Sequence, residues 1–348
     1  MNIESDNFAI TRILIVGLGS IGKRHLKIVR DFHKNAEIYI FRRYENPNVP
    51  ELANGIFVDI NEAISFNPQI VILANPAPFH LEIATIMAKL GCHVLVEKPL
   101  SSEFASAQEF IKTIEITNVI CQVGYNLRFL PSLVEFKKNI LSYAIGDVIS
   151  VRSEVGQHLS TWRPGIDYKT SVSARSELGG GVLLELSHEI DYLYWIFGEI
   201  EWVSSWIGKL SNLEIDVEDT AMLLFGFKSP NAKSPIIASL NMDFLRRDSV
   251  RTCTVIGSEG TLRWDGVKGK VDLFTKDSGK WVEIFNQPYS SDESYQAQWR
   301  FFIDRIKVKD ISLESIKDGV NVLKIINAAK KSSLNQNLRQ YFNITGSN

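Results

Sequence analysis

Cysteine is scarce in this chain. Cys92, Cys121 and Cys253 are odd in number and far apart, which argues against a disulfide framework and for buried thiols in a reducing compartment. A basic excess is also missing. The 38 Lys and Arg are balanced by 40 Asp and Glu, so the charge gives no reason to expect a nucleic-acid partner. No apolar run approaches the length of a bilayer crossing, so no membrane partner is expected. Met1 to Thr11 hold no Lys or Arg and no apolar block, and are not expected to act as a secretory leader. The six histidines, at 25, 33, 80, 93, 158 and 188, show no zinc-type spacing. No G-x-S-x-G marks a serine nucleophile. The expectation is a cytoplasmic protein without a metal.

What is present is an ordinary globular composition, with 45% hydrophobic and 22% charged residues. The 348 residues suffice for two domains with separate cores. Near the start, the apolar run from Arg12 to Val16 breaks into Gly17-Leu18-Gly19-Ser20-Ile21-Gly22, and a helix is expected over Lys23 to Phe32. Gly17 allows the turn, Gly19 lets a pyrophosphate approach, and Gly22 lets helix and strand pack closely. The N–H groups at the helix start, Ser20 and Ile21 among them, would hold phosphates. The bland alternative is a glycine-rich turn with no ligand. The placement between strand and helix favours dinucleotide binding.

Strands are expected at Ala36–Phe41, Gly55–Val58, Gln69–Ala74, His93–Val96 and Val119–Val123, separated by helices from Asn61, over Phe79–Leu90 and over Glu103–Thr117. Such alternation implies right-handed crossovers and a doubly wound parallel sheet. Residues 1–123 are therefore read as a Rossmann dinucleotide-binding domain. After it, alternating segments at Asp147–Glu154, Ile200–Ile207, Ala221–Phe227, Ile236–Phe244 and Val250–Ile256 argue for a large, mostly antiparallel open sheet. Two closing helices are expected at Tyr295–Lys307 and Leu313–Ser332, and Ser229 to Pro235 reads as a solvated hairpin loop. Residues 124–348 are thus read as a second, α/β domain.

Arg42 lies 20 residues after Gly22, where NAD enzymes commonly place a carboxylate for the ribose 2′-hydroxyl. A guanidinium there can pair with a 2′-phosphate, and Arg43 reinforces it. This favours NADP, with NAD the alternative, since arginine can also stack on adenine.

Glu97-Lys98-Pro99 follows a strand directly, and ligands of open parallel sheets bind outside the carboxyl ends of the strands. Beside an oxidised nicotinamide, Lys98 could polarise a substrate hydroxyl and help remove its proton. Further on, Glu177 to Tyr192 contains Gly179-Gly180-Gly181 and then a helix. Helical projection puts Val182, Leu183, Leu186, Ile190, Leu193, Tyr194 and Phe197 on one face, and Glu185, His188, Asp191 and Tyr192 on the other. A stripe of the second kind is usually solvated. Here the glycines would let something approach the backbone, and His188 has the natural pKa for moving a hydroxyl proton. In the preceding loop, Trp162 could stack on a sugar face, while Arg163 and Tyr168 could bind hydroxyl, carboxylate or phosphate groups. A packed surface loop is the alternative.

Taken together, the glycine turn, Glu97-Lys98-Pro99 and the glycine-rich run ending in His188-Glu189-Ile190-Asp191 resemble the Gfo/Idh/MocA family of sugar and cyclitol dehydrogenases. The similarity extends to Ala74-Asn75-Pro76 with His80, Tyr125-Asn126-Leu127-Arg128-Phe129, and Val255 to Leu262. The resemblance implies hydride transfer between nicotinamide and a secondary alcohol or ketone, with Lys98 and His188 in the active site. It further implies cofactor contacts at Asn75, Pro76, His80 and Glu97, substrate contacts at Asn126 and Arg128, and a homo-oligomer (dimer or tetramer). Many members carry Asp four residues before the histidine, where this chain has Leu184. Either Glu185 or Asp191 then orients the imidazole, or the proton relay differs. The Trp162–Tyr168 loop is similar to members of surface-sugar pathways and points to an amino, acidic or nucleotide sugar. Two other readings stay open: redox-neutral glycoside cleavage with bound NAD, and a nicotinamide-binding regulator without turnover.

Overall fold

The computed structural model describes residues 9–43, 48–163, 165–228, 235–288 and 290–342. The loop read as Ser229 to Pro235 thus lies outside the described residues except at Pro235. Two compact units are formed. The first takes the chain up to Gly124 together with Tyr295–Val320; the second takes Tyr125–Ser294 together with the chain from Asn321.

In the first unit the order is β1 (Arg12–Val16), α1 (Ser20–Phe32), β2 (Glu37–Phe41), β3 (Gly55–Phe57), α2 (Ile60–Ser65), β4 (Ile70–Leu73), α3 (His80–Lys89), β5 (His93–Val96), α4 (Phe104–Thr117) and β6 (Cys121–Val123). The sheet runs β3-β2-β1-β4-β5-β6, parallel throughout. Apolar residues fill both faces of its central strands because helices cover both. Ile13, Ile15, Ile70, Ile72 and Leu95 face a core shared with Leu26, Ile28 and Val29 of α1. The alternate residues Leu14, Val71 and Val94 are equally buried and point the other way. On that side α3 packs on β4 and β5 and against α4.

The second unit opens with α5 (Pro131–Leu141), β7 (Val148–Gly156), α6 (Val182–Glu185), α7 (Ser187–Phe197), β8 (Ile200–Gly208), β9 (Thr220–Phe227), β10 (Ile236–Asp243), β11 (Val250–Gly257), β12 (Gly260–Asp265), β13 (Lys270–Thr275) and β14 (Trp281–Asn286). Beyond these lie α8 (Ser291–Lys307), α9 (Glu314–Leu334) and β15 (Gln340–Tyr341). Tyr295, Trp299, Phe302, Ile303 and Ile306 of α8 join the first unit's core around α1, which is why that stretch belongs there. The sheet of nine strands runs β14-β13-β12-β11-β7-β10-β9-β8-β15. It is antiparallel except for β7 with β10. One face is apolar, with Val151, Leu223, Phe225, Leu240, Val255, Leu262 and Trp264 all buried. Helices cover this face: Trp264 donates its indole N–H to Ser132 of α5 at 3.0 Å, and Ser205 donates its hydroxyl to the carbonyl of Ala329 in α9 at 2.6 Å. Among the described residues no helix is long and apolar enough to cross a membrane.

Candidate active site

The glycine turn has the geometry its residues require. Gly17 has φ +88°, and a Cβ at Gly22 would lie 2.2 Å from the carbonyl oxygen of Gly17, whereas the space beside Gly19 is open to 4 Å. Helix α1 starts with no side-chain cap bond and no acidic residue in its first turn. Its leading N–H groups and the positive end of its dipole are therefore left for an anion. On the next strand over, Asn75 follows β4, and its buried Oδ1 has no partner among the described residues. Beyond β2, Arg42 is half-buried and its side chain meets no described partner, while the Arg43 guanidinium lies 4.5 Å above the Phe79 ring. An open phosphate cradle, an orphaned amide and an available guanidinium along one sheet edge fit a bound dinucleotide.

Lys98 stands in the loop leaving β5, half-buried, and its bond to Pro99 is cis. Its neighbours are fixed in the protein. The Glu97 carboxylate lies 2.6 Å from His25 Nε2 and accepts the Lys98 backbone N–H at 3.3 Å. His80, buried at the start of α3, places Nε2 2.7 Å from the carbonyl of Asn75 and Nδ1 3.1 Å from that of Pro99. Burial lowers the His80 pKa, against the raising influence of the Asn75 carbonyl and of Glu97. A Glu97 carboxylate oxygen and both His80 ring nitrogens thus bond within the chain and shape the loops. His25 carried no signal in the sequence beyond its place on the helix.

In the second unit, the helix expected through His188 is two helices. The chain breaks at Leu186 (φ −101°, ψ 24°) between α6 and α7. The stripe of Glu185, His188, Asp191 and Tyr192 is not a solvated face: every residue from Ser187 to Leu193 is buried. Its charges survive because they are paired. Asp191 accepts two bonds from Arg128, at 2.9 and 2.6 Å, and Glu189 accepts one from Arg251 at 2.7 Å. Glu185 accepts from the Ser173 hydroxyl at 2.7 Å. His188, 8% exposed, meets the Tyr125 ring edge-on at 5.7 Å. Buried Asn126 donates its amide to Ser294 at 2.8 Å. The glycines before α6 admit the protein's own groups. A Cβ at Gly180 would lie 2.4 Å from the carbonyl oxygen of Val172, and Gly181 (φ +101°) leaves room for the Glu218 carboxylate. Burial raises the Glu218 pKa, and its side chain caps α6 through the Leu183 N–H.

The loop read for substrate contacts is folded into short 3-10 turns at Leu159–Thr161, Tyr168–Thr170, Val172–Ala174 and Ser176–Leu178. Half-buried Trp162 donates its indole N–H to the Gln157 carbonyl at 3.0 Å and packs edge-on against Phe244 at 5.0 Å. The Tyr168 hydroxyl accepts the Glu214 N–H at 3.4 Å. Arg163 is half-buried.

Comparison with known proteins accords with this geometry. Residues 11–125 match the family described as "Oxidoreductase family, NAD-binding Rossmann fold", and residues 133–263 match the "GFO/IDH/MocA C-terminal domain". The chain is 28% identical to myo-inositol 2-dehydrogenase of Thermotoga maritima over 342 residues, covering 92% of this chain and 96% of that protein. It is 27% identical to levoglucosan dehydrogenase of Pseudarthrobacter phenanthrenivorans over 219 residues, covering 56% and 54% respectively. A solved structure of levoglucosan dehydrogenase in complex with NADH superposes with a TM-score of 0.81 at 20% identity, covering 95% of this chain and 98% of that one.

Proposed function

We propose that this chain, which belongs to the Gfo/Idh/MocA oxidoreductase family, transfers hydride between a nicotinamide dinucleotide and a secondary alcohol or ketone of a sugar, amino sugar or nucleotide sugar. One observation carries the reading. Three neighbouring strands, β1, β4 and β5, end in the open phosphate cradle, the orphaned Asn75 amide and Lys98.

The N–H groups of α1 bind the pyrophosphate. Arg42 pairs with a 2′-phosphate and makes NADP the favoured dinucleotide. When bound, the nicotinamide supplies the hydride acceptor or donor. The Lys98 ammonium hydrogen-bonds the substrate oxygen and stabilises the negative charge that develops there. His188 accepts the hydroxyl proton in the oxidative direction and returns it in the reductive one. Arg128 engages both oxygens of Asp191, so Asp191 anchors α7 and Glu185 is favoured as the carboxylate that orients the imidazole. Arg163 and the indole face of Trp162 are offered to the sugar. Trp206, Met222, Leu224 and Ile237 stand exposed together on the outer sheet face and would be covered in a homo-oligomer.

The test is deuteride transfer. The protein is incubated with dinucleotide carrying deuterium at the reactive carbon and a panel of keto-inositols, keto-sugars and nucleotide keto-sugars, and the products are weighed by mass spectrometry. Deuterium on one carbinol carbon is expected, faster from NADPD than from NADD. No incorporation from any substrate by protein that binds the dinucleotide would overturn the reading.

A further inference from the structure

Two buried imidazoles take no part in the chemistry just proposed, yet both end on the same loop. His25, on α1, is 1% exposed, and its Nε2 lies 2.6 Å from the carboxylate of Glu97, the residue before Lys98. His80, on α3, is also 1% exposed, and its Nδ1 lies 3.1 Å from the carbonyl of Pro99, the residue after Lys98. The His80 Nε2 is simultaneously 2.7 Å from the carbonyl of Asn75, in the loop after the adjacent strand β4. The backbone groups facing the His80 ring, those of Asn75, Pro99 and Leu100, are carbonyl acceptors that cannot donate. A neutral ring therefore serves one loop, and a protonated ring serves both. The two helices lie on opposite faces of the sheet: α1 shares the core around Ile13 and Ile72, and α3 packs with α4 on the other side. The edge of the Tyr295 ring closes over His25 at 5.8 Å.

We propose that His25 and His80 are positioning residues for Lys98, gripping the residues on either side of it from the two faces of the sheet. The physical reason lies in the loop. A lysine carries four side-chain torsions, and its ammonium can be aimed only if the backbone beneath it is fixed. Near the strand end the backbone ladder supplies the Glu97 N–H to Leu73 at 2.9 Å and the Gly124 N–H to Val96 at 2.7 Å. Beyond Glu97 the two imidazoles take over. His80 also stands between the Pro99 and Asn75 carbonyls, donating to one and packed against the other, so one side chain spans two loops that the proposed function places along the dinucleotide.

This inference rests on the reading of Lys98 as the substrate-facing lysine, so the test includes a readout independent of turnover. The full chain is labelled with trace acetic anhydride, and acetylation of Lys98 is measured against Lys27 and Lys89 by peptide mass spectrometry. The variants are His25→Leu, His80→Leu and the corresponding Gln variants. In the Leu variants the relative labelling of Lys98 is expected to change at least about threefold, and kcat to fall about 10- to 100-fold with KM nearly constant, the signature of a misaimed group. The Gln variants, which retain an N–H donor, are expected to fall between these and the wild type. In a Lys98→Met background, replacing either histidine should lower kcat no further. If Lys98→Met turns over normally, the reading of Lys98 fails, while the labelling ratio still decides whether the histidines hold it. Wild-type labelling of Lys98 in every folded variant overturns the proposal.

Discussion

The two units build their candidate sites from different material. In the first, backbone does most of the work: N–H groups at a helix start, carbonyls at strand ends, and glycines that keep side chains out of the way. In the second, His188 rises from a helix buried on all sides and steadied by ion pairs from Arg128 and Arg251. The phosphate cradle, made of backbone, tolerates changes in nearby side chains but not in its glycines. A site made of buried charges tolerates neither loss of a partner nor a shift in spacing. The contrast yields measurable differences.

The largest effect is expected on turnover. Lys98→Met and His188→Gln should each reduce kcat about 10³-fold while dinucleotide affinity, followed by quenching of tryptophan fluorescence, changes little. A large loss of dinucleotide affinity in His188→Gln would erase the division of labour between the units. Next comes stability. Asp191→Ala leaves the Arg128 guanidinium without its bidentate partner and should cost about 3–5 kcal/mol in chemical denaturation. Hydrogen exchange should show the loss in peptides of α7 and β7, with β1 and β4 unaffected. Arg42→Asp should be milder, lowering the NADPH-to-NADH affinity ratio by about tenfold or more through loss of a charge-assisted bond of about 1.5–3 kcal/mol. An unchanged ratio removes Arg42 from cofactor choice.

The smallest effect concerns acid. Burial lowers the pKa of His33, His80 and His93, all in the first unit. Their folded values lie below the ordinary 6.5, so the unfolded chain takes up protons first as pH falls. The stability they contribute is complete above pH 6.5 and declines below it. Between pH 7 and about 5, exchange protection should fall faster in β4 and β5 than in β9 and β10, and His80→Gln should reduce the difference.

Much of the first unit could be read in advance. A strand such as Ile70–Leu73 is apolar at every position because it is buried on both faces, and the glycine turn is constrained within six residues. Local signals of that kind survive in a single sequence. The second unit hides its logic in contacts between distant residues. Arg128 and Asp191 are 63 positions apart, as are 62 for Glu189 and Arg251. Nothing local distinguishes a buried, paired Asp191 from a solvated one, so the helical projection groups the charged residues on one face without naming their partners. Gly181 has the same history: its conformation was foreseeable, but the visitor it admits, Glu218, comes from 37 residues further on. The strands β13, β14 and β15 went unread because exposed edges such as Trp281–Asn286 lack the alternation that marks a half-buried strand. The histidines at 25 and 80 are one more instance, since each matters through a residue in another loop.

The return of α8 to the first unit has a consequence for how the molecule comes into being. On the ribosome, the segment up to Gly124 emerges first, but the face around Ile13, Ile38 and Leu26 awaits Trp299, Phe302 and Ile306, which are made only after the intervening strands. The nascent nucleotide-binding unit must wait with greasy surface uncovered while the whole intervening sheet is synthesised, a natural client for holding chaperones. A cut that looks tidy after residue 124 would therefore yield an unfinished fragment. Fusing 290–320 back onto 9–124 through a flexible linker is the shortest route to a stand-alone version.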